Sequence, residues 1–441
     1  MNRVVYLILF FLLINSCSFD SKTGIWTGSK NISKKKNEIN NNIELVFKKE
    51  NNVIQDRELS LEKNLKLETS SLFTSWTQSY QNKFNYTGNV SFLNNGNYKK
   101  FSKISRVPIN KDILLKNNNL YFSDIKGNIG IFSLEDNKLI YKFNFYKKKY
   151  KKINKNIKLI IKGDILIAAD NFGYIYSIDY KNNKLNWAKN FLVPFRSNLK
   201  IIGKTLFLSD EKNKIVLINL DNGKKIEEFY TQPSTAVSSF ENNLAIDDYN
   251  NLLFLSTNGS LYSLNLINQK TINWIQNFKS ENEIIFNGKP ITILNDHIMI
   301  TSDNSISLIN VNGAKIWSIN IKSNVRPIIS GNTIFVINQD NYLVLIDKVS
   351  GQIIFSKNLN TLLKKNFAKL TKKIKKIDYF FLNNNNLLLI SDNSYFIEID
   401  IGNTFNISSV KKNPFNIKTN LIFVKNEIIF VSESNRVFKV N

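Results

Sequence analysis

The sequence predicts an all-β fold, an eight-bladed β-propeller of four-stranded antiparallel blades, on three observations. A unit of β-rich runs and polar turns recurs eight times, at residues 120–141, 164–187, 205–226, 252–274, 297–317, 333–355, 387–403 and 427–440. The turns carry Asp-Asn-x-Gly or x-Asn-Gly patterns, and an aromatic closes several units at one shared position. A period of roughly 45 residues is the size of a propeller blade.

Taken from the N-terminus, the chain opens MNRVVYLILFFLLINSCSFD. Arg3 supplies a short positive region, Val4 to Ile14 is almost wholly apolar, and Ser16 precedes Cys17. This is the layout of a secretion leader, and its apolar run is shorter than the roughly 20 residues of a membrane span. Ile14-Asn15-Ser16-Cys17 resembles a lipoprotein cleavage box, in which the cysteine becomes the first mature residue and carries lipid. Cys17 is also the one cysteine among 441 residues. The alternatives are a plain leader with a chance cysteine, or an uncleaved anchor. Residues 1–17 are thus read as a signal peptide with a lipidated Cys17 on an exported chain without disulfides. Residues 18–70 are polar and rich in lysine and asparagine. They read as a tether, since such a stretch buries too little apolar surface to offset its ordering entropy.

The propeller is expected over 71–441. Runs of four to six Ile, Leu, Val, Phe and Tyr residues read as buried strands. Gly127, Gly173 and Gly259 fill the first turn of their units, and Gly223, Gly313 and Gly351 the second; tight hairpins need residues that tolerate positive φ. Pro108, Pro194, Pro290 and Pro327 each come shortly before a repeat, marking the start of an inner strand where a missing donor is tolerated. Trp187, Trp274 and Trp317, with Phe355 once in their place, share a position at the end of the third strand of their units. They are expected to pack between blades, which bury their faces only by stacking into a closed ring. The last copy has two clear strands before the chain stops. The aromatic stretch around Trp76 is therefore expected to supply a strand to the blade of residues 421–441 and to fasten the ring.

One segment breaks the repeat. Between the sixth and seventh copies, Leu363, Phe367, Leu370, Ile374 and Ile377 follow spacings of four, three, four and three, with lysines between them. This predicts a basic amphipathic helix over about 362–377. It suits either a solvated cap on the ring or contact with anionic lipid or an acidic partner.

The formal charge is +25, but arginine occurs only at positions 3, 57, 106, 196, 326 and 436. Readers of nucleic acid favour arginine for its bidentate fork, so nucleic acid is not expected as a partner. Weak attraction to anionic lipid is the more natural use of such a charge.

Units of the form two strands, x-x-Gly, strand, Asp-x-x-x-Gly, strand ending in Trp resemble the quinoprotein-type propeller blade. Together with the leader and Cys17, and with residues 102–124 as a first-blade start, the chain resembles the BamB family of outer-membrane assembly lipoproteins over about 76–441. The resemblance implies a non-enzymatic scaffold without cofactor. It implies anchoring by acyl chains on Cys17 to the outer membrane at its periplasmic face, since Ser18 follows the cysteine. It implies docking on the POTRA domains of a BamA-type barrel protein, with unfolded barrel chains as further clients. Two neighbouring interblade loops carry that docking in the family. The first aligns with 232–243, placing Thr235, Val237 and Ser238 at positions that the family fills with two leucines and an arginine. The second aligns with 281–290, where Glu281, Glu283 and Asn287 are the candidates and the family's acidic positions are not clearly kept.

The rival chemistry is weaker. A quinoprotein dehydrogenase resembles the chain in blade type but needs a quinone pocket, a calcium site, a catalytic aspartate and often paired cysteines. Asp124, Asp170, Asp210, Asp303 and Asp392 recur at one turn position, which favours hairpin capping over catalysis. His297 is the only histidine and starts a strand; a histidine-based triad or multi-histidine zinc site is restricted or excluded. No phosphate loop occurs. A ligand in the central channel would call for unmatched aromatic or charged residues on the inner strands, where the sequence shows no such cluster.

Overall fold

A computed structural model describes residues 54–58, 65–146, 150, 152–233, 240–266, 271–280, 283, 286–402 and 405–441. Cys17, the leader and most of the expected tether lie outside the described residues. The rest forms eight sheets that follow one another along the chain, each built on a four-stranded antiparallel blade, as predicted. The first blade runs from Leu114–Lys116 to Lys138–Asn144, and the second from Ile157–Lys162 to Lys184–Asn190. The third spans Lys200–Ile202 to Lys225–Phe229, and the fourth Asn243–Ile246 to Ile272–Asn277. The fifth spans Thr292–Leu294 to Lys315–Ile319, and the sixth Ile328–Ser330 to Ile353–Asn358. The seventh is Ile377–Asn383 to Ile407–Lys412; the eighth begins at Ile422–Val424 and ends at Arg436–Val440.

Within each blade, burial follows strand position. The second and third strands are apolar almost throughout and buried on both faces, as in Ile165–Asp170 and Tyr174–Asp179. The outermost strand Lys184–Asn190 exposes every residue except Trp187. Neighbouring blades share the resulting layers: Ile167 and Ile175 of the second blade pack with Leu206, Leu208 and Val216 of the third. Phe207 and Leu217 of the third pack with Leu252 and Phe254 of the fourth.

The tryptophans do pack between blades, from the fourth and outermost strand rather than the third. The Trp187 indole donates to the Leu220 carbonyl of the next blade at 2.8 Å. Trp274 reaches Val311 at 3.0 Å and Trp317 reaches Lys348 at 2.8 Å. Each ring lies against the second-turn glycine of that next blade, Gly223, Gly313 or Gly351. Phe355 instead stacks on Phe405 at 4.4 Å.

The ring is closed by an N-terminal strand, but by another segment than the one around Trp76. Tyr98–Lys103 pairs antiparallel with Arg436–Val440 and completes the eighth blade. Trp76 pairs with Leu115 of the first blade, with N–H to O distances of 2.7 and 2.8 Å. Its aromatic neighbourhood marks a plug, since residues 73–93 cross the channel and bond to every blade. The Thr77 carbonyl accepts from Ile161, Lys83 from Ile246 and Phe84 from Ile293. Asn82 accepts from Lys200 Nζ at 2.8 Å and Asn85 from Arg326 Nη1 at 2.7 Å. Asn89–Val90 adds in parallel to the innermost strand of the seventh blade. The Phe73 carbonyl accepts from Lys425 of the eighth.

The described part of the expected tether is also bound to the ring. Arg57 and Ser356 exchange two backbone bonds at 2.8 and 3.0 Å, a single antiparallel bridge to the outer edge of the sixth blade. The Glu68 amide donates to Ser330 Oγ at 2.9 Å. The basic insertion forms a helix at Leu359–Phe367 and a single 3-10 turn at Ala368–Leu370. It therefore starts before the predicted 362, and Ile377 opens a strand instead of ending the helix. Asn358 caps it, its side chain accepting from the Asn360 amide.

Candidate functional site

In a four-stranded meander, the link to the next blade and the turn between the second and third strands emerge on one side of the ring. The two loops singled out from sequence lie on this loop face. Thr235, Val237, Ser238 and Glu281 fall outside the described residues; Glu283 and Asn287 are described.

What is described shows how the loops are hung. Both attach to the fourth-blade hairpin around residues 256–259. Asn258 Nδ2 donates to the carbonyls of Gln232 and Pro233, each at 3.0 Å, at the start of the first loop. The Phe286 amide donates to the Thr257 carbonyl at 3.0 Å from the second. Asn242 ends the first loop fully buried; its Oδ1 accepts from the Thr257 amide at 3.2 Å and its Nδ2 reaches the Asp210 carbonyl at 2.8 Å. Asn243 Nδ2 donates to the Gly288 carbonyl at 3.1 Å, tying the two loops to each other. In the second loop, Asn287 Nδ2 donates to Asp303 Oδ2 at 2.7 Å. Glu283 accepts from the Ser280 amide at 3.2 Å and from Asn304. These two candidates brace the loop against the fifth-blade turn. Tyr230 and Leu192 stand 77% and 82% exposed in this and the preceding interblade link. Sequence reasoning missed both, because an apolar residue beside a strand end carries no mark of being exposed.

The channel opens on the same face into a cavity of about 440 Å³. An inner-strand lysine meets the carboxylates of two interblade links here. Lys158 sits between Asp112 at 3.0 Å and Glu241 at 2.7 Å. Burial alone would lower the Lys158 ammonium, but the two carboxylates outweigh it and hold its pKa above the ordinary value. Tyr80, from the plug, reaches this group. Burial pushes its phenol up, and the charges of Glu241 and Asp112 push the same way. The Arg326 guanidinium lies 5.1 Å from the Tyr80 ring centre. Deeper still, Lys200 is wholly buried and held by Gln78 Oε1 at 3.1 Å and the Asn82 carbonyl. Burial, then the Arg326 charge, pushes its pKa well below the ordinary value. Lys158 and Lys200 each stand singly in an apolar run, so their convergence is set by ring closure and is invisible locally.

Three of the five turn aspartates cap hairpins as predicted. Asp124, Asp170 and Asp210 each accept backbone N–H bonds from residues two and four positions on. Asp303 and Asp392 sit one place further along. The capping oxygens there are Ser302 Oγ, taking the Asn304 and Ser305 amides, and Ser391 Oγ, taking the Tyr395 amide. His297 is a half-buried strand-start residue opposite Leu294.

A family model described as outer membrane protein assembly factor BamB matches residues 126–357, more than half of the chain. The chain belongs to the BamB family. Among curated relatives, an uncharacterized protein of Rickettsia conorii is 24% identical over 80% of this chain and 87% of its own length. A second uncharacterized protein, from Rickettsia prowazekii, is 25% identical over 76% and 80%. Among solved structures, BamB from Moraxella catarrhalis superposes with a TM-score of 0.59 at 10% identity, covering 77% of this chain and 98% of that one. The quinohemoprotein alcohol dehydrogenase of Comamonas testosteroni does so at 0.60 and 7% identity, over 84% and 81%. At such identities these structures share the fold alone. A quinone with a divalent cation, which a dehydrogenase would require, does not fit the donors at the channel mouth of this BamB-family ring. Both carboxylates there are held by Lys158, and Lys111, Lys155 and Lys418 add further positive charge.

Proposed function

We propose that the chain is a non-enzymatic, lipid-anchored scaffold of outer-membrane barrel assembly, working at the periplasmic face of the outer membrane. The observation that carries this reading is the BamB-family match across 126–357. The loop face supports it. Two adjacent interblade loops hang from one hairpin and are tied to each other by Asn243, so a rigid ring presents them together. In this reading residues 234–239 and the second loop hold the periplasmic domains of a BamA-type protein, and Tyr230 and Leu192 widen the apolar contact. Cys17 carries the acyl anchor; two or more chains give stable membrane attachment where one gives only marginal binding.

The test is to extract the protein from membranes and identify what co-purifies. A barrel-assembly protein is expected, and its recovery drops at least about tenfold, the loss of some 1.4 kcal/mol of binding, when 234–239 are replaced by Gly and Ser. The replacement stops short of Asn242 and Asn243, which hold the fourth blade in place. Absence of any barrel protein, with a quinone or sugar bound instead, would overturn the scaffold reading.

A further inference from the structure

The basic insertion and the arriving N-terminal segment meet at one place on the loop face. The helix Leu359–Phe367 and the turns after it spend their apolar side chains on the ring. Leu359, Leu362, Leu363 and Ile374 are buried among the sixth- and seventh-blade residues Phe355, Ile377, Ile397 and Ile407. Seven lysines, at 364, 365, 369, 372, 373, 375 and 376, are left exposed within 13 residues. One of them, Lys376, pairs with Asp378 at 3.0 Å.

Residues 54–58 run antiparallel to Ile353–Asn358, the strand that leads directly into this helix. Arg57 pairs with Ser356, the Asn358 amide donates to Asp56 Oδ1 at 3.2 Å, and Lys357 pairs with Glu58. Antiparallel pairing puts Ile54, the end that leads back to Cys17, at the helix end of the strand. From Cys17 to Ile54 is 37 residue steps. That limits the separation of anchor and helix to roughly 130 Å even for a fully extended chain.

We propose that the Lys364–Lys376 patch is a docking surface for an anionic lipid membrane, the surface to which the same chain is anchored. Charge complementarity and the arrival of the anchor-bearing segment beside the patch select this occupant. Each lysine near an anionic bilayer contributes a several-fold gain in affinity that fades within a Debye length of about 8 Å. The patch thereby turns the loop face toward the lipid and limits the ring's freedom on its tether. The inference uses the anchor expected at Cys17 but not the barrel partner, so the two readings fail separately.

The test uses residues 18–441, which lack leader and lipid but keep every described contact. Co-sedimentation is measured with phosphatidylcholine vesicles and with vesicles containing about a third phosphatidylglycerol. Binding to the anionic vesicles alone, abolished by high salt, is expected. The variant K364Q/K365Q/K372Q/K373Q should bind at least about tenfold more weakly. Its thermal midpoint should stay unchanged, because all four side chains are exposed. Equal binding to both vesicles, no binding, or a variant that binds like the parent would overturn the proposal. Capture of polyglutamate without vesicle binding would overturn it in favour of an acidic protein partner.

Discussion

At the scale of single residues, the turn aspartates show one carboxylate serving structure at a cost. Asp170 is 1% exposed, and burial raises its pKa to about 6 despite the amides of Phe172, Gly173 and Tyr174 that stabilise the ionised form. Tyr146 also donates to it. A carboxyl held more tightly protonated in the folded chain than in the unfolded one favours folding most below the unfolded value, near pH 4. That benefit is lost as pH rises to the folded value, near pH 6, and amounts to about 3 kcal/mol. Asp170→Asn keeps the accepting oxygen and removes the charge. The variant should match the parent in urea stability at pH 4 and exceed it by about 1–3 kcal/mol at pH 7. A parent that gains on the variant between these pH values would show that the carboxylate is not held protonated. The capping role was readable from sequence at Asp170 because its turn ends in Gly173. At Asp303 and Asp392 the register was not readable, since the serine one place earlier offers an equivalent oxygen.

At the scale of the blade, the outermost strand and the following blade interlock through tryptophan and glycine. Gly313 has φ +84°, and a Cβ there would lie 2.6 Å from the Trp274 ring. The ring is fixed in turn by its bond to the Val311 carbonyl, so it cannot swing aside without leaving that carbonyl unpaired. Gly203 makes the control: its φ is +53° and a Cβ would meet nothing within 4 Å. Gly203→Ala should cost about 1 kcal/mol for the left-handed backbone alone. Gly313→Ala adds overpacking, for a total of about 2–4 kcal/mol in denaturant unfolding. Equal losses at the two sites would mean that the tryptophan contact constrains nothing. Both residue types were visible as recurring signals; their partnership across blades was not, because it joins positions 39 apart that share no local pattern. The closing strand was hidden for a related reason. Tyr98–Lys103 is an outer strand with one fully buried residue, Phe101, so it lacks the apolar run that marks an inner strand.

At the scale of the whole molecule, the N-terminal segment has two separable duties. Residues 98–103 complete the eighth blade, and residues 73–93 fill the channel beneath the charged mouth. The aromatic density around Trp76 signalled a structural role, yet read as a closing strand because local pattern does not distinguish a ring's seam from its axis. Asn85 shows what the axis does. Its side chain donates to the Leu244 and Ile291 carbonyls of two blades, while its own carbonyl accepts from Arg326 of a third. Removing the plug exposes these groups, and Lys200, to water that can solvate them, so the loss is partial. Removing the closing strand opens the ring and leaves the Arg436–Val440 edge unpaired, which forfeits stability comparable to the whole 5–15 kcal/mol of a typical domain. A chain beginning at residue 94 should therefore still unfold cooperatively at a lowered midpoint, whereas one beginning at residue 104 should give no cooperative transition by calorimetry. Equal cooperativity in the two truncated chains would assign the fastening of the ring to the blade interfaces alone. If neither chain unfolded cooperatively, the plug, which both lack, would be the fastener, as the position of Trp76 first suggested.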